Sequence, residues 1–230
     1  MSRNVKVPIA LVALFAVVVT VIAIASGSDD ESPATRTTIA EAPTTTGSAA
    51  PARPRVVTDD PRRLGRPGRG GVTFTEFLDF ECEGCGAAYP LVEQLREKYD
   101  GRVTFNIRYF PLPGHRNARP AALAVEAAHQ QGKLEPMYRR MFETQRQWGE
   151  QSDSQAATFR GFAKDLGLDL ARFDADVASP RTRRRVERDL AAGAALGLQG
   201  TPTFFVNERM IQPQSSEDLG REIDAALAGS

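Results

Sequence analysis

An α/β domain with a helical insertion is the fold class predicted by three observations. Val72 to Phe80 is a run of β-branched and aromatic residues that leads into Cys82-Glu83-Gly84-Cys85 and then a helical pattern. A second strand pattern, Arg102 to Phe110, follows that helix, with Val103, Phe105, Ile107 and Tyr109 alternating with polar residues. From Ala118 to about Leu198 the periodicity is only helical, and strand character then returns at Thr203 to Val206.

Taken from its start, the 230-residue chain divides into four stretches. Residues 1–6 carry Arg3 and Lys6 and are expected to face the cytoplasm; Val7 to Ala25 is uninterruptedly apolar; Asp29, Asp30 and Glu31 follow. This is the charge pattern of a segment entering a membrane with its N-terminus inside. About 19 residues at roughly 1.5 Å each give about 28 Å of helix, enough for the bilayer core, so a transmembrane anchor is favoured. A cleaved signal peptide is the alternative, because Ala23-Ile24-Ala25 has the small-x-small form that a signal peptidase accepts. Under either reading the rest of the chain is extracytoplasmic. It would be tethered to the cell membrane by a single span, or secreted if that segment is removed.

Residues 26–70 are rich in Ser, Thr, Pro, Ala and Gly and read as a disordered linker, too poor in large apolar side chains to offset its ordering entropy. The folded domain is expected at 71–230, with the helical insertion at about 118–198. Val72 to Phe80 is apolar on both sides, which places it centrally in a sheet. Gly86 to Tyr99 is a helix with Ala87, Leu91, Leu95 and Tyr99 at spacings of four, closed by Asp100-Gly101. Helices are expected at Ala121 to Gln130, Leu134 to Gln147, Gln155 to Leu166, Leu170 to Val177 and Arg181 to Leu196. After the strand at Thr203 to Val206 come a short one at Arg209 to Gln212 and a last helix, Ser216 to Leu227, whose N-terminus Ser216 and Asp218 suit. The arginines at 181, 183, 184, 185 and 188 read as a solvated helix face. Charges balance at 29 basic and 29 acidic residues, which implies neither a nucleic-acid partner nor an acidic substrate.

Cys82 and Cys85 are the only cysteines in the chain. A staple across three residues would close a very small loop and stabilise little. Half a zinc site is a further reading, but the remaining soft ligands are only His115 and His129. A redox pair fits better, because residues three apart on a helix lie on nearly the same face. Cys82, at or before the first turn, meets unpaired N–H groups that favour a thiolate, so it is the expected nucleophile and Cys85 the resolving thiol. Glu76 shares a strand face with Phe74, Leu78 and Phe80. A carboxyl buried that way has a raised pKa and could exchange a proton with Cys85. Asp79, on the other face, reads as structural or solvating, and His115 as a loop or core histidine. Before a strand, Thr201-Pro202 says only that a turn is present.

The apolar strand, the acid before Cys-x-x-Cys, the helical insertion and Gly200-Thr201-Pro202-Thr203-Phe204-Phe205-Val206-Asn207 together resemble the thioredoxin superfamily, specifically its DsbA-like thiol-disulfide oxidoreductases. The likeness covers about Gly71 to Leu227. It implies a thioredoxin-like fold, a cis Pro202 packed against the cysteines, and a Thr201 backbone offered to the substrate's extended chain. Thioredoxins carry Gly-Pro between the cysteines and many strong oxidants carry Pro-His, whereas this chain has Glu83-Gly84. Glu83 is expected to raise the Cys82 pKa relative to a His-containing site, and Gly84 to loosen the geometry. The resulting expectation is a protein disulfide oxidoreductase acting on exported cysteine-containing clients and recycled by a redox partner, with no metal or organic cofactor. Oxidase is favoured over isomerase or reductase. A non-catalytic docking or chaperone module with a structural disulfide is the alternative.

Overall fold

The computed structural model describes residues 54–230. The expected anchor at 7–25 lies outside the described residues, as does most of the expected linker. Among the described residues no helix is long and apolar enough to cross a membrane.

The domain is a thioredoxin-like α/β fold. Its five strands are β1 (Arg62–Leu64), β2 (Val72–Leu78), β3 (Val103–Tyr109), β4 (Thr203–Val206) and β5 (Arg209–Ile211), in the order β1-β3-β2-β4-β5. β2 runs parallel to β3 and antiparallel to β4, so the strand read as central is central. Its two faces are covered by different sets of apolar residues, as a strand without alternation requires. Phe74 and Leu78 pack with Val92 and Leu95 of α1 (Glu83–Lys98) and with Leu219 and Ile223 of α8 (Ser216–Ala228). Phe77, on the opposite face, packs with Val56, Phe110, Leu198 and Phe205.

The insertion holds α2 (Ala118–His129), α3 (Leu134–Glu143), α4 (Gln145–Trp148), α5 (Ala156–Asp165), α6 (Leu170–Ala178) and α7 (Pro180–Ala195). The single helix expected over Leu134 to Gln147 is thus two. The break is at Thr144, whose hydroxyl donates to the Arg140 carbonyl at 2.6 Å. Helix α7 starts at Pro180, with Ser179 accepting from the Thr182 N–H at 3.2 Å. Helix α8 is capped by Ser215 rather than Ser216, in a capping box with Asp218. Of the arginine run, Arg181, Arg183, Arg184 and Arg188 are exposed as expected. Arg185 is not: it is buried and donates to Asp189 at 3.0 Å.

The linker expectation fails at its C-terminal end. Residues 54–70 fold onto the domain: β1 pairs antiparallel with β3, and the Val56 N–H donates to Glu208 Oε2 at 2.8 Å. Composition missed this segment because charge pairing holds it. Arg62 makes two hydrogen bonds of 2.6 Å to Glu126, both residues buried, and Arg108 donates to the Arg55 carbonyl at 2.7 Å.

Candidate active site

β2 ends in a tight turn that delivers Cys82 to the N-terminus of α1. The Cys82 N–H donates to the Asp79 carbonyl at 3.2 Å, and Asp79 Oδ1 accepts from the Glu81 N–H at 2.8 Å. Cys82 is the N-cap residue, in extended conformation, and the helix begins at Glu83 rather than Gly86. Its thiol therefore meets the free N–H groups of the first turn. Cys82 keeps 9% of its surface exposed and Cys85 none. Both are unbridged thiols.

The environments of the two sulfurs differ sharply in charge preference. The Cys82 thiol is lowered to about 5. A hydrogen bond from Cys85 is the largest cause; burial opposes it, while the Thr201 side chain and the N–H groups of Cys85 and Gly84 reinforce it. Cys85 is pushed well above the ordinary thiol range by burial, then by its hydrogen bond to Cys82 and the charge of Glu76. Its sulfur accepts from the Asp79 N–H at 3.5 Å.

Glu76 lies where strand parity places it, opposite Ile107 and Phe204 and 2% exposed. Its Oε1 has no hydrogen-bond partner. Burial, then the charges of Cys82 and Glu93, raise its carboxyl to about 8. The Thr201-Pro202 peptide is cis, and the Thr201 carbonyl accepts from the Cys82 thiol at 3.3 Å. Cys82, Cys85, Glu76, Glu83, Gly84, Thr201 and Pro202 thus lie together where β2 meets α1 and β4.

The sequence model of the thioredoxin family matches residues 61–225. The chain belongs to that family. Its fold is that of the DsbA-like oxidoreductases. A thioredoxin-like oxidoreductase from Silicibacter pomeroyi is 25% identical, with a TM-score of 0.64 over 79% of this chain and 99% of that one. BdbD from Bacillus subtilis is 22% identical, with a TM-score of 0.66 over 74% of this chain and 94% of its own. The thiol-disulfide exchange protein α-DsbA2 from Wolbachia pipientis is 21% identical, with a TM-score of 0.60 over 72% of this chain and 86% of its own. Among curated relatives, the Na(+)/H(+) antiporter NhaA of Herminiimonas arsenicoxydans is 37% identical over 159 residues, 69% of this chain and 24% of the antiporter. The antiporter NhaA 3 of Salinispora tropica is 35% identical over 166 residues, again 24% of its length. The chain thus matches about a quarter of the length of these relatives.

Within this thioredoxin-family site, the two residues between the cysteines are both exposed. Glu83 is exposed, where solvent screens its charge, and other groups dominate the acidity of Cys82. Gly84 lies inside the first turn of α1 and packs close to the cis-proline. A Cβ there would stand 3.3 Å from Pro202 Cδ and 3.6 Å from both the Cys82 sulfur and the Thr201 oxygen. Beside Pro202 opens a cleft of about 510 Å³ lined by Gly200, Thr201, Thr203, Met210 and Gln212 among others.

Three other groups of residues complete the site. Asp79, read as structural or solvating, is buried; its Oδ2 accepts from the Leu112 N–H at 2.9 Å and lies 2.7 Å from His115 Nδ1. Burial opposes protonation of His115, but the bond to Asp79 and its charge, with that of Cys82, leave the imidazole pKa raised. The loop histidine therefore belongs to the shell around the cysteines. Sequence reasoning missed Glu81, which accepts from the Asn117 N–H at 2.5 Å, and Gln145, which donates to the carbonyls of Phe80 and Cys82. Gln145 carries no signal of its own, since its targets are backbone atoms. Among the described residues no three His, Cys, Asp or Glu side chains converge as metal ligands.

Proposed function

We propose that this chain is an extracytoplasmic thiol-disulfide oxidoreductase that exchanges disulfides with exported cysteine-containing proteins, with oxidation of the client the favoured direction. The observation that carries the reading is the inequality of the two thiols: Cys82 at a helix N-cap, reachable and held as a thiolate, and Cys85 sealed behind it and held protonated. A structural staple has no use for that inequality. Val7 to Ala25 would hold the domain at the cell membrane, or release it on cleavage. Antiporter relatives that match over a quarter of their length support work beside a membrane.

In the oxidising direction a client thiolate attacks Cys82 Sγ of the Cys82–Cys85 disulfide. The S–S bond breaks, a mixed disulfide forms, and Cys85 leaves as a thiolate. Glu76, protonated at neutral pH because its carboxyl is raised to about 8, supplies the proton. A second client thiolate then attacks the client sulfur of the mixed disulfide, and Cys82 leaves with the electron pair. Two electrons pass from the client dithiol to the cysteine pair, and a redox partner removes them. The cis Thr201-Pro202 peptide and its cleft would hold the client chain beside Cys82. Stabilising the Cys82 thiolate stabilises the reduced form, which makes the disulfide the stronger oxidant. No metal or organic cofactor enters these steps.

Equilibration of the full chain with glutathione buffers tests the reading. A reversible Cys82–Cys85 disulfide is expected, and Cys85→Ala should accumulate mixed disulfides through Cys82 with exported proteins. A pair that never interconverts overturns the proposal and leaves the docking module.

A further inference from the structure

The helical insertion reaches into the redox turn through one amide. Gln145 opens α4 and is 9% exposed; its Nε2 donates to the carbonyls of Phe80 and Cys82, both at 2.8 Å. The Cys82 carbonyl also accepts the first hydrogen bond of α1, from the Gly86 N–H at 3.1 Å, so both of its acceptor positions are used. Gly86 makes the room. A Cβ there would overlap Gln145 Oε1 and stand 2.8 Å from its Cδ.

We infer that Gln145, admitted by the missing side chain at Gly86, is a positioning residue that pins the Cys82 peptide so that the first-turn N–H groups stay aimed at the Cys82 sulfur. The inference rests on the thiol-exchange reading above and adds to it a link between the insertion and the nucleophile. Its physical basis is twofold. A carbonyl oxygen is the negative pole of its peptide, and a donor placed on it withdraws that charge from the neighbouring thiolate. The same donor fixes the plane of the peptide that leads to Gly84 and Cys85, whose N–H groups serve the sulfur. A small shift of the insertion would therefore be felt at Cys82 although no insertion side chain need touch the sulfur.

A purely structural role predicts something different. If Gln145 only satisfied buried carbonyls, its loss would lower stability without altering the acidity of Cys82. Gly86→Ala reaches the same contact without changing Gln145. The added methyl must displace the amide, which costs its two buried hydrogen bonds, while alanine returns part of that stability as the better helix former. The acidity of Cys82 then separates the two roles. The ionisable groups around Cys82 include Glu76 on β2, Cys85 and the exposed Glu83 on α1 and His115 from the loop after β3; neither substitution alters them.

The experiment follows iodoacetamide alkylation of Cys82 against pH in the full-length protein, reduced, as wild type, Gln145→Leu, Gly86→Ala and the double variant. The midpoint is expected to rise by about half a unit to one unit in each single variant, which is roughly a three- to tenfold loss of thiolate below the midpoint. The double variant should match the larger single effect, since both changes remove the same amide. Unchanged midpoints in folded variants, or effects that add in the double variant, overturn the inference. Should Gln145→Leu unfold, Gly86→Ala decides alone. A wild-type midpoint in the ordinary thiol range would instead overturn the exchange reading, and this inference with it.

Discussion

Arg62 and Glu76 stand in one row across the sheet, with Ile107 between them and Phe204 beyond, and their charges are treated in opposite ways. Arg62 is 4% exposed and is answered by a fork of two 2.6 Å bonds to Glu126, which also accepts from Tyr109 at 3.1 Å. On the other face, Asp189 accepts from Arg108 at 2.9 Å and Arg185 at 3.0 Å. Glu76, about 10 Å from Arg62 along the row at roughly 4.8 Å per strand, is given no partner for Oε1. A charge that must stay a charge is paired when buried. A carboxyl whose work is to gain and lose a proton is left alone, and burial holds its two protonation states close in free energy near neutral pH.

The sharpest way to break this contrast is to make the paired region resemble the unpaired one. Glu126→Gln removes the buried countercharge of Arg62 and leaves it only the exposed Asp60 carboxylate at 2.8 Å, and urea unfolding is expected to show a loss of about 3 kcal/mol. Glu76→Gln should do the opposite, by an amount that depends on pH. The Glu76 carboxyl rises from 4.5 to about 8 on folding, so the wild type loses stability as pH climbs through that window, whereas glutamine does not. The two proteins should be alike near pH 4, and the variant should gain a few kcal/mol above pH 8, at about 1.4 kcal/mol per unit. A flat difference across that range would mean that Glu76 has a partner after all. The same variant should slow formation of the mixed disulfide at neutral pH, the step in which Cys85 leaves, read by quenched-flow alkylation.

A smaller effect separates the two cysteines. The Cys82 thiol falls from 9.0 to about 5 on folding, so its thiolate stabilises the reduced protein fully above pH 9 and progressively less as pH falls through about 5. Reduced protein should therefore melt a few degrees above oxidised protein at pH 7–8, since closing so short a loop returns little stability, and the gap should close towards pH 5. A gap that persists at pH 4 would assign the difference to something other than this thiolate.

What could be read from the sequence was what depends on local pattern. The period of two along β2 put Glu76 with Phe74 and Leu78, and the change of period after Cys82 marked a helix N-terminus; both follow from neighbours in the chain. The order of strands and helices was legible for the same reason. Features made by distant partners were not. Nothing near Arg62 announces Glu126, 64 residues away, so a strand was read as linker. Arg185 looks like its exposed neighbours until Asp60, 125 residues away, is brought to it. Gln145 and Gly86 have meaning only as a pair, one amide fitting where one methyl is missing.

The edge strands β1 and β5 are each three residues long. An exposed strand edge is a template on which another chain can add itself, and short, charged edges offer little to copy. Arg62 and Arg63 at one edge and Arg209 at the other make these poor templates. If the chain were trimmed to begin at Gly71, the seven residues of β3 would become an open edge and the face around Phe77 would lose Val56. For a protein proposed to handle unfolded clients, whose extended segments seek such an edge, three residues of backbone decide whether a client meets a thiol or a sheet to aggregate on.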